Sequence, residues 1–220
     1  WAPGFARGLL GRFELILAQT EADAARFAAL AGRDVPCWGN LKYAASPLPA
    51  DPVELSRLSA AWAGRPVWLA ASTHPGEDEI ILAAHRLLVA QHAGLLTVIV
   101  PRHPPRGPDI AALAAGLPVA QRSAGQEAGP GVAVYVADTL GELGLFYRLA
   151  RVALIGGSLV PHGGQNPLEA ARLGCPILIG PHHFNFSEII ARLRKADALV
   201  ETPDGPDAAA GLAAQATRFL

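Results

Sequence analysis

The sequence predicts an α/β fold, a Rossmann-like doubly wound parallel sheet. Three observations carry that expectation. From residue 54 onward, strand-length apolar runs alternate with helix-length amphipathic runs, the rhythm of βα units in a parallel sheet. The runs at 95–100 (LLTVIV) and 152–155 (VALI) are apolar without interruption, as strands are when helices cover both faces. Polar side chains then gather directly after such runs, at the strand ends where open α/β sheets hold ligands.

Composition agrees with a packed core: 51% of residues are hydrophobic and 17% charged, unlike a disordered chain. The net charge of −1 gives no global basic field, so nucleic acid is not an expected partner. Cys37 and Cys175 lie far apart and read as free thiols in a reducing compartment. No apolar run approaches the ~18 residues needed to span a bilayer. The chain has no methionine, and initiator removal hardly exposes a residue as large as Trp1. With a C-terminus that reads as helix interior, this predicts a piece of a longer protein.

Taken in order, residues 13–18 (FELILA) read as a strand. Thr20 then caps a helix, with Asp23 at the capping-box position and Gly32 as the stop. Residues 35–38 read as a second strand, and the prolines at 47, 49 and 52 as a linker. The domain boundary is placed at residue 43, so that 1–42 form the end of one domain and 43–220 a second. After the linker, helix 54–63, strand 66–71 and helix 78–91 follow. Strand 95–100, helix 109–115 and short strands at 118–120 and 132–136 come next. A helix at 140–149, capped by Thr139 with Glu142 in the capping-box position, precedes strand 152–155. Strand 176–179, helix 187–195, a short strand at 199–200 and a helix from Asp207 complete the chain.

The stretch 156–174 (GGSLVPHGGQNPLEAARLG) concentrates the chemistry. A strand delivers a glycine-rich loop, containing Gly156, Gly157, Gly163 and Gly164, to a helix opening at Asn166-Pro167. Such loops bind phosphate through backbone N–H groups and the helix dipole. Glu169, one turn in, is placed to accept hydrogen bonds from ribose hydroxyls. The alternative is a tight strand-to-helix turn with no ligand. The strand ends carrying Ser72-Thr73-His74, Arg102-His103, Asp138-Thr139, Gly157-Ser158 and His182-His183-Phe184-Asn185 form one rim, which argues for a ligand more strongly than any single motif. Arg102 and Arg106 read as a cationic clamp for an oxyanion, or as part of a solvated proline-rich loop.

Several chemistries are disfavoured. His74, His103, His162, His182 and His183 show no metal-ligand spacing, so no metal site is expected. The dinucleotide and Walker A fingerprints are absent, and Ser158 is not in a nucleophile elbow. Residues 5–10, with Arg7 and Arg12, form a basic apolar stretch that fits either a membrane surface or a short helix.

Six motifs occur in order: GNLK (39–42), STHPGE (72–77), PRHPPR (101–106), DTLGEL (138–143), GGSLVPHGGQNPLEAA (156–171) and GPHHFNF (180–186). Together they resemble the C-terminal half of the 3-deoxy-D-manno-octulosonic acid (Kdo) transferases of Gram-negative bacteria. The resemblance implies a GT-B glycosyltransferase in which 43–220 is the donor-binding domain and 1–42 is the tail of the N-terminal domain with the crossover. It implies transfer of Kdo from CMP-Kdo to a lipid A precursor, in lipopolysaccharide biosynthesis, at the cytoplasmic face of the inner membrane. It also implies no metal or other cofactor, and peripheral membrane association of the full-length protein; this chain itself would be soluble. The catalytic base would lie in the N-terminal domain, outside this chain.

Carried over by motif, the resemblance places Glu169 on the CMP ribose. It places Gly157, Ser158, Gly163, Gly164 and Asn166 around the phosphate. Arg102 and the Thr139-Leu140-Gly141 loop would lie near the cytidine, and His103 is counted among the donor-binding residues. Ser72, Thr73 and His74, with His183 and Asn185, would face the cleft and the Kdo carboxylate. His162 and Gln165 depart from the family's commoner Arg and His. From the residues alone, a transferase using a UDP-sugar and a non-catalytic nucleotide-sugar-binding module remain as alternatives.

Overall fold

A computed structural model describes residues 3–203 and 205–220. Trp1, on which the expectation of a longer protein partly rests, lies outside the described residues. The chain divides into two compact units, one ending at Ser46 and the other running Pro47–Leu220.

The first unit holds helices α1 (Pro3–Leu10) and α2 (Glu21–Ala31) and a short 3-10 turn at Leu41–Ala44. Thr20 caps α2 by accepting the Asp23 N–H, and Gly32 ends it in the left-handed conformation, as the sequence predicts. The two expected strands do not form. A single parallel bridge joins Ala18 to Cys37. The flanking extended segments find no further ladder among the described residues, so Phe13, Leu15 and Trp38 stay exposed.

The second unit is a seven-stranded sheet in the order β3-β4-β2-β1-β5-β6-β7, every pair parallel. The strands are β1 Val67–Thr73, β2 Leu96–Pro101, β3 Val119–Gln121, β4 Val134–Val136, β5 Val152–Ile155, β6 Ile177–Ile179 and β7 Val200–Glu201. The connecting helices are α3 Pro52–Ala61, α4 Asp78–Leu88, α5 Gly107–Leu113, α6 Leu143–Leu149, α7 Leu168–Arg172, α8 Ser187–Lys195 and α9 Ala208–Thr217. Alternation along β1 sorts the core into two layers. Leu69 and Ala71 pack with Leu58 of α3, Phe146 of α6, Ala170 of α7 and Ile190 of α8. Trp68 and Ala70 pack on the other face with Ile81 and Leu88 of α4, Ile110 of α5 and Leu212 of α9.

Helix α6 begins three residues later than the sequence predicts. Gly141 lies at φ +83° and interrupts the helix. The Thr139 hydroxyl bonds to the Glu142 carboxylate, not to backbone. That carboxylate is in turn held by Arg122 at 2.5 and 2.6 Å. Side-chain pairing has displaced the capping box.

One polar group is sealed into the second layer. His85 of α4 is fully buried, with Nδ1 2.7 Å from the Thr97 hydroxyl, which also accepts the Trp68 indole N–H at 2.5 Å. Burial, with Arg86 as a lesser cause, pushes the His85 imidazole down to about 4. The fold therefore holds it neutral. An unfolded chain protonates it near pH 6.5, so it binds more protons than the fold between pH 6.5 and 4. The stability is fully present above pH 6.5 and is lost as pH falls through that window. Replacing His85 with Gln should remove roughly 3 kcal/mol of acid sensitivity between pH 7 and 4. Denaturant titrations across that range check this; an unchanged pH slope counts against it.

Candidate functional site

The strand order reverses at β1 and β5: the chain moves from β1 outward to β2, then returns to place β5 on the other side. Open α/β sheets form their crevice at such a switch point, beyond the carboxyl ends of the strands. Here those ends touch. Ser72 takes φ +61°, where the β1 register slips against β2 between Ala71 and Thr73. Gly156 follows β5, and a Cβ there would lie 2.3 Å from the Ser72 carbonyl oxygen. Only glycine allows this approach. The strained serine conformation costs about 1–3 kcal/mol and persists because its surroundings enforce it.

Those surroundings centre on a side chain to which the sequence analysis assigned no role. Glu77 is fully buried, and its carboxylate accepts four backbone N–H groups. Oε2 takes those of His74 at 2.8 Å and Gly157 at 2.7 Å. Oε1 takes those of Ser158 at 3.0 Å and Leu159 at 2.9 Å. Burial pushes the carboxyl up, and the four donors oppose that shift. The anion satisfies every donor, whereas a proton on either oxygen would face one. The reach back to His74 has the i to i−3 spacing of a capping box, a legible signal. The reach across to β5's loop spans about eighty residues and has no local signature.

These bonds bear on the expected phosphate ring. The N–H groups of Gly157 and Ser158, expected to ring a phosphate, are already committed to Glu77. The Ser158 hydroxyl is committed too, donating to the Ile155 carbonyl at 2.5 Å and accepting the Gly180 N–H at 2.8 Å. The N–H groups of Gly163 and Asn166 carry no hydrogen bond among the described residues. Helix α7 is only five residues long, so its dipole is small. The Gly164 N–H is spent on the Gly157 carbonyl. Gly163, at φ +104°, packs its backbone against Asn185, whose own N–H donates to the Gly163 carbonyl at 3.0 Å and whose amide donates to His162. Asn185 braces the loop.

The expected arginine clamp also divides. Arg106 donates to the Thr73 carbonyl at 2.9 Å and pairs with buried Asp78. The Thr73 hydroxyl donates to the other Asp78 oxygen at 2.8 Å. Thr73 and Arg106 thus bind α4 to the ends of β1 and β2 and do not face a cleft. Arg102 is exposed, and its guanidinium makes no hydrogen bond or ion pair among the described residues.

A cavity of about 230 Å³ opens at the switch point, lined by Ser72, Arg102, Leu143, Tyr147, Gln165, Asn166 and Glu169. Asn166 orients Glu169 through a 3.2 Å hydrogen bond from its amide and accepts the Leu168 N–H. Burial holds the Glu169 carboxyl above its ordinary range, against the pull of Asn166, Arg102 and Arg172. Sequence reasoning named Ser72, Arg102, Asn166 and Glu169, and missed Leu143 and Tyr147, whose apolar and aromatic pattern reads as core.

The remaining candidates border this cavity or stand apart. His74 is buried, stacks on His162 at 3.7 Å between ring centres, and meets His103 edge-on at 6.2 Å. Its Nε2 lies 3.0 Å from the Gln165 amide nitrogen. Burial first, then the neighbouring His162, His103 and arginines, push His74 down to about 4. Neutral His74 can accept from Gln165, which fixes that amide at the cavity wall. His183 lies 3.1 Å from Glu201. Thr139 is half-buried and Leu140 and Gly141 are exposed at the mouth of the β4–α6 loop. Among the described residues, no group of three or more His, Cys, Asp or Glu side chains is arranged to hold a metal ion.

A family model described as 3-Deoxy-D-manno-octulosonic-acid transferase (kdotransferase) matches residues 1–45. The chain is similar to the 3-deoxy-D-manno-octulosonic acid transferase of Bordetella pertussis, 39% identical over 213 residues, covering 93% of this chain and 49% of that protein. The Haemophilus influenzae enzyme of the same name is 38% identical over 202 residues, covering 90% of this chain and 47% of that one. Among solved structures, the C-terminal CMP-Kdo binding domain of WaaA from Acinetobacter baumannii is 33% identical with a TM-score of 0.66, covering 76% of this chain and 96% of that one. The chain belongs to the Kdo transferase family. It spans about half the length of the curated relatives it matches. The Kdo transferase resemblance and the GT-B-type α/β fold read from the motifs both hold.

Glu77 is the test of how this site is built. A Glu77→Gln substitution keeps the shape but turns an NH2 group toward two backbone N–H donors. It should cost about 3 kcal/mol, a fall in Tm of roughly 10 °C. Thermal unfolding by circular dichroism checks this, and a shift under about 2 °C would show that the loop does not depend on the carboxylate.

Proposed function

We propose that this chain holds CMP-Kdo, as the donor half of a transferase that moves Kdo onto a lipid A precursor in lipopolysaccharide biosynthesis. The observation that carries this reading is the cavity at the β1/β5 switch point. There a carboxylate, an unpaired arginine and Asn166, whose backbone N–H is unspent, line one cavity, in a chain 33% identical to a domain named for CMP-Kdo binding.

The residues divide the donor between them. Glu169 accepts from the ribose hydroxyls. Arg102 and the N–H groups of Gly163 and Asn166 face the phosphate. The exposed Leu140-Gly141 backbone is offered to the cytosine edge. Ser72 and the His74-oriented Gln165 amide line the side open to the sugar. In the transfer, the bond from the Kdo anomeric carbon to the phosphate oxygen breaks. The acceptor hydroxyl oxygen bonds to that carbon, its proton passes to a base in the N-terminal half, and CMP leaves. Negative charge grows on the phosphate as the bond breaks, and preorganised donors and Arg102 stabilise it there. We assign that counter-charge to the protein and not to a resident metal.

No helix of the described residues is long and apolar enough to cross a membrane. The proposed place of the whole protein is the cytoplasmic face of the inner membrane, held peripherally, where the lipid acceptor lies.

Glu169→Ala should weaken CMP binding about 10- to 100-fold, since a charged acceptor is lost. Titration calorimetry against CMP, UMP, UDP and GDP checks both this and the base preference. Equal CMP affinity in the variant, or tighter binding of UDP, would overturn the assignment. The chain by itself should show binding without turnover.

A further inference from the structure

Tyr147 of α6 has no place in the reading above, yet it lines the same cavity as Glu169 and Asn166. Its ring belongs to the core layer of Phe146 and Ala170, and only 3% of the residue is exposed. A phenol this deep ordinarily has a hydrogen-bond partner. Here the hydroxyl bonds to no group among the described residues, and it is not among the polar atoms sealed away from any opening. The aromatic body is packed and the polar tip is left at the cavity wall. A hydroxyl with no protein partner adds nothing to the packing of the ligand-free chain, so a phenylalanine would serve the core at least as well if nothing bound there.

The chemistry of the wall indicates what would pair with it. Burial first, then the nearby Glu169 carboxylate, hold the phenol far above its ordinary range, so it remains an O–H donor. Glu169 is an acceptor only, when ionised. A donor and an acceptor lining one cavity match a ligand hydroxyl, which donates its hydrogen bond to the carboxylate and accepts one from the phenol. A vicinal diol offers two such hydroxyls, and a carboxylate can accept from both. One diol oxygen then has its lone pairs directed at Tyr147.

We propose that Tyr147 is a specificity-determining residue that donates a hydrogen bond to one hydroxyl of the nucleotide ribose, so that this cavity selects ribonucleotides over deoxyribonucleotides. This rests on the CMP reading of the cavity given above. The site takes the ribose diol between the α6 phenol and the α7 carboxylate.

The experiment compares the unaltered chain with Tyr147→Phe. Each is titrated with CMP, 2′-deoxy-CMP and 3′-deoxy-CMP, and each is melted without ligand. The unaltered chain should prefer CMP over both deoxy forms. In Tyr147→Phe, CMP affinity should fall roughly fivefold, with no change for whichever deoxy-nucleotide lacks the contacted oxygen. The ligand-free variant should melt at the same temperature or higher, because an unpaired hydroxyl has been removed. A lower melting temperature would show that the hydroxyl has an internal partner and would overturn the proposal. Equal CMP affinity in the two proteins overturns the role of Tyr147 alone, leaving the CMP reading intact. No CMP binding by the unaltered chain overturns both.

Discussion

The carboxylate of Glu77 is the interaction on which the rest of the site depends. Burying a charge is costly unless it is hydrogen-bonded on all sides. Four backbone donors offset that cost here, and the carboxylate also stands at the N-terminus of α4, where the helix dipole favours an anion. The side chain is thus an internal anion that joins the β1–α4 turn to the loop after β5. It sets the course of residues 157–159, and through the Gly157–Gly164 hydrogen bond the course of the turn that presents Gly163 and Asn166. The glycine-rich loop wraps its first donors around a carboxylate of its own chain and leaves later ones for a ligand.

Charge is distributed on the same principle. Asp78 and Arg106 neutralise each other beneath the β1 and β2 ends. Arg122 does the same for Glu54 and Glu142 beside the β4–α6 loop. These pairs hold backbone in place and are unavailable to a substrate. Arg102, one residue past β2, is left to the cavity that Glu169 also lines. An acidic and a basic group with separate partners suit a ligand that is itself divided, with hydroxyls at one end and a phosphate at the other.

Much of the fold was legible because its signals are local. Uninterrupted apolar strands, helical periodicity and the Thr20 and Gly32 caps depend on neighbours within a turn or two, and each appears as read. The failures are equally physical. Residues 13–18 have a strand's composition but only the Ala18–Cys37 bridge to pair with, and a strand is defined by its partner. Thr139 and Glu142 have a capping box's spacing, but Arg122 competes for the carboxylate from twenty residues away. Tyr147 has the pattern of a core aromatic and is one, apart from its oxygen.

By itself the sequence determined the α/β class, the rim of polar strand ends and the family to which the motifs belong. Those follow from period, composition and short ordered motifs. Only the tertiary structure decided which of the rim's groups are free. Hydrogen-bond donors and charges are used up pairwise, and the partners of Gly157, Ser158, Thr73 and Arg106 come from other βα units. Glu169 and Arg102 remain available to a ligand because no such partner reaches them, which no stretch of chain near either residue records.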